Sequence, residues 1–196
     1  MILQISAIVI FVIFYGCYFG KMLLQRRQGI QTDQMGKGKN GVVLGIELTM
    51  KAATIAVPVA EVISIYRNTI LGVPWFRYTG LAVAVLGDII FIVSVFTMKD
   101  SWRAGVSRTD KTKLVTSGIY QISRNPAFLG FDLVYIGICM MFFNWILFCV
   151  SAFAILMFHL QIINVEEDFL QEAFGAEYLE YKKSVNRYLG RKYREK

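Results

Sequence analysis

A polar stretch at residues 114–130, LVTSGIYQISRNPAFLG, holds the first residues with an evident chemical use. Asn125 is a favoured residue type just before a helix, Pro126 fits the first helical position, and Arg124 precedes both. An arginine beside the free backbone N–H groups of a helix start can bind a carboxylate or a phosphate. An ordinary capped membrane helix with an arginine on its cytoplasmic side explains the same three residues.

A pair of carboxylates, Glu166 and Glu167, follows the last strongly apolar segment. Together with Arg124, this pair would complement a ligand that carries both an anionic and a cationic centre. S-adenosylmethionine, with its carboxylate, ammonium and sulfonium groups, is one candidate among several, and Tyr120 or Phe128 could pack against its adenine or its cation. The two glutamates could equally begin a solvated helical face.

His159, the only histidine, lies on the face of Glu166 and Glu167 if one helix carries all three. It could act as general base for an amine or hydroxyl nucleophile, although a lone histidine in an apolar span is also typical of a packing residue. Methyl transfer by in-line displacement depends mostly on positioning and on a deprotonated nucleophile. Such a transfer requires no metal, and the sequence does not suggest a metal site.

The composition excludes an ordinary soluble protein. The chain has 196 residues, which fits a single domain, and 56% of them are hydrophobic, with a mean hydropathy of +0.50. The net charge of +7 does not indicate nucleic-acid binding, because the basic residues cluster between apolar segments rather than along one face. The expected partners are membrane lipids and no nucleic acid.

The apolar segments predict an all-α integral membrane protein with about five transmembrane helices, at residues 2–19, 41–66, 76–98, 127–143 and 145–163. The second segment is the weakest, since Glu47, Lys51, Pro58 and Glu61 interrupt it. A single tilted, kinked span is preferred there to an interfacial helix followed by a shorter crossing. Glu47 and Lys51 are four residues apart and are expected to pair on one helix face.

The single domain, residues 1–196, divides into three N-terminal spans (1–98) and a part with the basic loop, a helical hairpin and C-terminal helices (99–196). Most of the 21 Lys and Arg residues fall in segments on one side of the predicted spans, which makes that side cytoplasmic. Only Asn144 separates the last two spans, so these form a tight hairpin. Its entry at Arg124 and its exit at Glu166 are expected to meet at the cytoplasmic face.

A cytosolic amphipathic helix is expected near the C-terminus. After a break at Gly175, apolar and aromatic residues recur at helical spacing: Tyr178, Tyr181, Val185 and Tyr188. Basic residues occupy the rest of this segment. Such a helix would contact anionic headgroups and close over the site.

The order of the motifs LVTSGIY and RNPAFLG, a tight membrane hairpin and EEDFLQEAFGAEYLEYKKSVNRY resembles the isoprenylcysteine carboxyl methyltransferase family and its relatives among the phospholipid N-methyltransferases. The resemblance covers residues 112–187. It implies a membrane methyltransferase that binds S-adenosylmethionine in a cytosol-facing pocket, while a lipophilic substrate enters from the bilayer.

The family's motif implies that residues 112–115, Tyr120 and residues 125–128 hold the cofactor, and that Glu166 lies where the cofactor meets the substrate. Combined with the residues chosen above, the catalytic candidates are Glu166 and His159. The cofactor-binding candidates are Thr112, Lys113, Leu114, Val115, Gly118, Tyr120, Arg124, Asn125, Pro126, Ala127, Phe128 and Glu167.

Two positions depart from the family's pattern. Asn125 stands where the family usually has histidine, which keeps a hydrogen-bonding side chain but loses a titratable ring. Ile162 stands where carboxyl methyltransferases of this type place an arginine, four residues before the first glutamate. Its absence argues against a prenylcysteine carboxylate as substrate, and a phospholipid or another amine is the alternative acceptor.

A function of another class is non-enzymatic transport or lipid binding. An acid at the depth of Asp88 marks either a polar packing contact or a functional path. Transport would require Asp88, Asp132 and His159 to face one shared polar path. The acidic residues in the apolar segments are too few and too scattered to favour a transport function.

Overall fold

The structure is a computed structural model that describes residues 1–69, 73–106 and 113–191. These residues form six α-helices: α1 (Ile2–Arg27), α2 (Gly41–Arg67), α3 (Pro74–Met98), α4 (Pro126–Met141), α5 (Trp145–Gln161) and α6 (Glu167–Ser184). Short 3₁₀ turns, Lys99–Ser101 and Gly118–Gln121, lie between α3 and α4, and a π-helical turn, Ile162–Glu166, joins α5 to α6. The predicted all-α architecture is confirmed.

All five predicted apolar segments form helices. Four helices are long and apolar enough to cross a membrane, namely α1, α2, α3 and the helix that begins with α5, and α4 is apolar but shorter, with 16 residues. At 1.5 Å per residue α4 rises about 24 Å, somewhat less than the hydrocarbon core of about 30 Å. Large apolar side chains on the outside of α1, such as Ile8 and Val12, are exposed, as lipid contact requires.

The second segment forms one continuous helix with Pro58 inside it, which confirms the single span. The predicted pairing of Glu47 with Lys51 is wrong. Glu47 is fully buried and bonds instead to Lys39, while the Lys51 ammonium lies 2.6 Å from Asp33 Oδ2. The loop before α2 supplies both partners, Lys39 and Asp33, and the Lys39 ammonium offsets part of the cost of burying the Glu47 carboxylate.

Helices α3 and α4 approach each other very closely through glycines. A Cβ added at Gly87 would lie 2.7 Å from the Val134 backbone nitrogen, and one at Gly137 would lie 2.5 Å from the Ala84 backbone nitrogen. Small residues allow such backbone approach inside a membrane, where packing rather than hydrophobic exclusion holds helices together. This contact fixes the position of α4, whose first turn belongs to the site described below.

Three residues, including Asn144, connect α4 to α5, as the predicted tight hairpin requires. The Asn144 side chain accepts a hydrogen bond from the Leu147 N–H at 3.0 Å and so caps α5. Within this pair, α4 packs mainly against α3, and α5 packs mainly against α2. The entry and exit of the hairpin nevertheless meet, since Arg124 and Glu167 form an ion pair at 3.0 Å.

The C-terminal helix is shorter than predicted. Gly175 breaks its helical geometry with φ 51° and ψ −123°, as expected, but α6 ends at Ser184. Val185 is extended, so Val185 and Tyr188 do not continue the face of Tyr178 and Tyr181. The segment after α6 instead pairs with the chain before α4, where the Arg124 N–H donates to the Asn186 carbonyl at 3.1 Å.

Candidate functional site

A cleft of about 140 Å³ lies beside the first turn of α4. Four other parts of the chain form its walls. These are the end of α3 together with the residues just after it, residues 113–115, the turn at Tyr120, and the chain from the π-helical turn into α6. Nine of the predicted site residues line it: Lys113, Leu114, Val115, Tyr120, Arg124, Asn125, Ala127, Phe128 and Glu166. Gly118, Pro126, Glu167 and His159 do not line it, and Thr112 lies outside the described residues.

The first turn of α4 begins where the sequence predicts, with Asn125 in the N-cap position and Pro126 at the first helical position. The Asn125 side chain makes no capping hydrogen bond. Its Nδ2 donates to the Arg187 carbonyl at 3.1 Å instead, while the Asn125 N–H donates to Ser123 Oγ at 3.1 Å. Asn125 therefore links the cleft to the C-terminal segment, and the backbone N–H groups of this turn are not covered by its side chain.

Arg124 is buried and is held on two sides. One terminal nitrogen donates to the Tyr178 hydroxyl at 2.8 Å, and the other lies 3.0 Å from Glu167 Oε1. Its Nε donor is buried and has no hydrogen-bond partner among the described residues. A ligand anion in the cleft would meet the charge of an oriented guanidinium, since Arg124 lines the cleft.

Glu167 faces three cations rather than the cleft. Besides Arg124, Lys182 Nζ lies 2.8 Å from its Oε2, and Arg187 Nε lies 2.7 Å from its Oε1. Burial acts to raise the pKa of Glu167, but the hydrogen bonds from Arg187 and Lys182 and the charge of Arg124 outweigh it and lower the pKa to about 2. Glu167 therefore stays ionised and ties α6 to the start of α4.

Glu166 lines the cleft and has the opposite electrostatic environment. Burial, reinforced by the carboxylate of Glu47, raises the pKa of Glu166 to about 7, although Lys39 and Gln161 act to lower it. The two glutamates are neighbours at the end of a π-helical turn, a type of turn that often marks functional sites. The structure brings one member of the predicted carboxylate pair to the cleft and turns the other away.

His159 lies outside the walls of the cleft. Its Nδ1 is 2.6 Å from the Tyr188 hydroxyl, and the two rings stack with centroids 5.9 Å apart. This contact fastens the C-terminal segment to α5. A catalytic role for His159 stays a prediction that this position does not favour.

The sequence analysis missed several residues of the cleft, most of them apolar: Met98, Trp102, Arg103, Phe169, Leu170 and Phe174. Tyr181, predicted only to close over the site, lines the cleft too, and its hydroxyl donates to the Tyr120 carbonyl at 2.6 Å. The helical spacing of Phe169, Leu170 and Phe174 after Glu166 is a signal that could have found three of them. Trp102 has no comparable signal in the local sequence.

A larger, mostly apolar cavity of about 520 Å³ lies between α1, α2, α4 and α5. Residues of all four helices line it, among them Tyr15, Thr54, Phe131 and Phe158. Five residues belong to the walls of both cavities: Trp102, Arg103, Gly105, Ala127 and Phe128. A cleft that contains charged side chains and a larger apolar cavity therefore meet at the first turn of α4.

The residues expected on a transport path are placed elsewhere. Asp88 is buried on α3 and Asp132 is half-buried on α4. Asp88, Asp132 and His159 line neither the cleft nor the apolar cavity. The arrangement thus does not support the shared path that transport requires.

Similar sequences include protein-S-isoprenylcysteine O-methyltransferase B of Arabidopsis thaliana, which is 33% identical over 113 residues, covering 57% of this chain and 57% of the relative. The enzyme of that name from Mus musculus is 34% identical over 115 residues (58% of this chain, 41% of the relative), and that from Saccharomyces cerevisiae is 33% identical over 109 residues (54% and 45%). The chain spans about half the length of these relatives.

The sequence model of the phospholipid methyltransferase family matches residues 75–177. The matched region runs from α3 to the first half of α6 and contains most walls of the cleft, including the first turn of α4 and Glu166. The resemblance found in the sequence motifs is confirmed by this match and by the relatives. Because the match covers more than half of the chain, the protein belongs to the phospholipid methyltransferase family.

Proposed function

We propose that this protein is an S-adenosylmethionine-dependent methyltransferase that acts on a lipophilic substrate in the membrane. The observation that carries the proposal is the junction at Trp102 and Phe128, which belong to the walls of both the cleft with its charged side chains and the apolar cavity. A charged methyl donor and an apolar methyl acceptor need such different compartments with a common wall. The names of the relatives support the reaction class.

The residues present in the cleft fit S-adenosylmethionine, which supplies an electrophilic methyl group on a sulfonium. The charge of Arg124 and the backbone N–H groups of the first turn of α4 would attract its carboxylate. Tyr120 and Phe128 offer aromatic faces to the adenine or to a cation, and Glu166 offers a carboxylate to a cationic centre. Lys113, Leu114 and Val115 complete the wall along the ligand.

The apolar cavity supports a lipophilic substrate that enters from the bilayer. Its lining runs along α1 from Phe11 to Met22, a rise of about 16 Å. Such a cavity fits a hydrocarbon chain whose reactive end points towards Trp102 and Phe128. Lys51 and Asp33 form an ion pair on its wall, so the cavity also has a polar contact for a substrate headgroup.

The relatives are named as methyltransferases of isoprenylcysteine, a carboxylate acceptor. In this chain Ile162 occupies the position of the family's arginine, and its side chain is fully buried. The chain therefore has no cation at this position to bind an acceptor carboxylate. An acceptor hydroxyl or the amine of a phospholipid fits these residues better.

The cleft is proposed to face the cytoplasm. The basic residues in the loops before α2 and before α4 lie on the side of the cleft, and the positive-inside rule makes that side cytoplasmic. No metal takes part in the proposed reaction, because positioning and proton removal are sufficient for methyl transfer.

Calorimetry with the purified protein in detergent tests the proposal. We expect S-adenosylmethionine and S-adenosylhomocysteine to bind, and Arg124→Ala and Glu166→Gln to weaken binding or turnover at least about tenfold, the loss of one charged hydrogen bond. Glu177→Gln, an exposed change on α6, is the control with the same loss of charge as Glu166→Gln. Absence of binding by the unmodified protein would exclude the proposed cofactor.

The acceptor is identified by a second experiment. Membrane extracts incubated with the protein and a methyl donor labelled on the methyl group are separated, and mass spectrometry reports the labelled species. We expect a lipid methylated on oxygen or nitrogen. A labelled water-soluble product alone would contradict the assignment of the apolar cavity.

A further inference from the structure

Glu47 is a second carboxylate near the cleft, and no function described above involves it directly. Its side chain is fully buried on α2. It accepts hydrogen bonds from the Gly36 N–H at 2.6 Å, from the Lys39 ammonium and from Gln161 Nε2 at 3.2 Å. Partners from the preceding loop and from α5 therefore fix the position of this carboxylate.

Gln161 connects Glu47 to the π-helical turn that carries Glu166. It is fully buried and is the last residue of α5. Its Nε2 is used by Glu47, whereas its Oε1 has no hydrogen-bond partner among the described residues. A hydrogen bond from the Gln161 side chain also acts to lower the pKa of Glu166, so this one buried amide acts on both carboxylates.

The charges around Glu166 come from several elements. The carboxylate of Glu47 raises the pKa of Glu166 and Lys39 lowers it. Tyr120, before α4, and Tyr178, on α6, also lie within electrostatic range of Glu166. Three basic residues, Arg103, Lys113 and Arg124, line the same cleft as Glu166. Because Glu47 and Lys39 act in opposite directions, substitution of one or the other should move the pKa of Glu166 in opposite directions.

We propose that Glu47 is a positioning residue that acts through Gln161 and against Lys39 to orient Glu166 and to set how readily Glu166 takes up a proton. Glu166 can then act as general base towards a hydroxyl or amine acceptor, a role that rests on the proposed methyltransferase function. In that step the acceptor's lone pair forms the bond to the methyl carbon, the carbon–sulfur electron pair stays on sulfur, and the acceptor's proton passes to Glu166.

The coupling is tested without any methyl donor. The full-length protein, labelled with ¹³C-glutamate in detergent micelles, is titrated from acid to alkaline pH by infrared spectroscopy, and the difference from Glu166→Gln identifies the Glu166 band. The band of the unmodified protein is expected to titrate near pH 7. Glu47→Gln should lower this midpoint by about one pH unit, and Lys39→Met should raise it by a similar amount.

Glu177→Gln is the control that removes a carboxylate outside the cleft, and it should leave the midpoint unchanged. A purely structural role of Glu47 would not move the midpoint in opposite directions in the two variants. Midpoints that equal the control in both variants, or that move in the same direction, overturn the proposal. If Glu47→Gln does not fold, Lys39→Met decides alone, since a raised midpoint supports the coupling and an unchanged one overturns it.

Failure of the proposed methyltransferase function would be recognised separately, because calorimetry would then show no binding of S-adenosylmethionine to the unmodified protein. Where the donor binds and the acceptor is known, the pH profile of methyl transfer provides a second readout. Its acid limb should move with the infrared midpoint in Glu47→Gln and Lys39→Met. A pH profile that stays in place while the infrared midpoint moves overturns the general-base role of Glu166.

Discussion

Glu166 and Glu167 are neighbours in the chain, yet one lines the cleft with a pKa raised to about 7 and the other has a pKa lowered to about 2. Consecutive residues of a helix point in directions about 100° apart, so the end of the π-helical turn can send them to different partners. Glu166 meets another carboxylate, Glu47, whereas Glu167 meets Arg124, Lys182 and Arg187. Glu166 can therefore exchange a proton near neutral pH, whereas the ionised Glu167 links α6 to the start of α4.

The ionised state of Glu167 predicts a pH dependence of stability. Because its pKa is lower in the folded protein than the ordinary value of 4.5, its contribution is fully present above about pH 4.5 and is lost as the pH falls towards 2. Glu167→Gln leaves Arg124 buried without a counter-ion, which should cost about 3 kcal/mol at pH 7. Thermal unfolding in detergent at a series of pH values measures both effects.

The control for Glu167 is again Glu177→Gln, which lies on the same helix but is exposed. The fall in unfolding temperature between pH 4.5 and pH 2 should be smaller in Glu167→Gln than in the control. Equal falls in the two variants would show that Glu167 does not stabilise the folded protein through its charge.

At the scale of elements, the close contact between α3 and α4 decides the shape of the cleft. Met98 at the end of α3 and Trp102 shortly after it belong to one wall, and Arg124, Asn125, Ala127 and Phe128 around the start of α4 belong to another. The glycines between the two helices set their separation and their register. A shift of α4 along α3 would therefore change the distance across the cleft.

Gly137→Ala is expected to destabilise the protein by about 1–3 kcal/mol, because the added methyl group would meet the Ala84 backbone at 2.5 Å and force the helices apart. The affinity for S-adenosylmethionine should fall as well, since the start of α4 moves with the helix. Unfolding temperature and calorimetry in detergent measure the two effects.

Gly16→Ala on α1 is the matched control, since nothing lies within 4 Å of its added Cβ. This variant should be as stable as the unmodified protein or slightly more stable, because alanine favours the helix. A Gly137→Ala protein with the same unfolding temperature as Gly16→Ala would refute the close packing of α3 and α4.

At the scale of the whole molecule, two cavities of different polarity share the wall between Trp102 and Phe128. One side of the cleft is formed by α6 and the segment after it. There Tyr181 and Asn186 form hydrogen bonds with the chain before α4. The apolar cavity is formed by transmembrane helices. The proposed donor and acceptor can thus occupy separate compartments and react at the junction.

Narrowing the apolar cavity should weaken binding of the lipophilic methyl acceptor without weakening binding of S-adenosylmethionine. Thr54 lines this cavity on α2 and does not line the cleft. Thr54→Trp is therefore expected to reduce transfer of labelled methyl groups to membrane lipids at least about tenfold, while S-adenosylmethionine affinity stays within about twofold. Mass spectrometry of labelled extracts and calorimetry provide the two measurements.

Val62→Trp is the control for Thr54, because Val62 lies on the same helix but is exposed to the outside. It should leave both methyl transfer and cofactor affinity unchanged. Methyl transfer that is equally reduced in both variants, or not reduced in Thr54→Trp, would show that the acceptor does not use the apolar cavity.

The sequence by itself determined the class of the fold, the five apolar segments and the region of the site. Hydropathy and helix-start signals are local properties, so residues 2–19 and the Asn125–Pro126 pair can be read without knowing their neighbours. The ordered motifs from residue 112 to residue 187 indicated the reaction class for the same reason. The position of the break at Gly175 also followed from local sequence.

Only the tertiary structure decided which partner each charged side chain has. Glu47 bonds to Lys39 rather than Lys51, Glu167 turns to Arg187 rather than the cleft, and His159 bonds to Tyr188. These contacts join residues that are distant in the chain, and burial makes each polar group take the partner that the packed helices bring near. The meeting of the cleft with an apolar cavity at Phe128 likewise depends on how six helices pack, which no local pattern specifies.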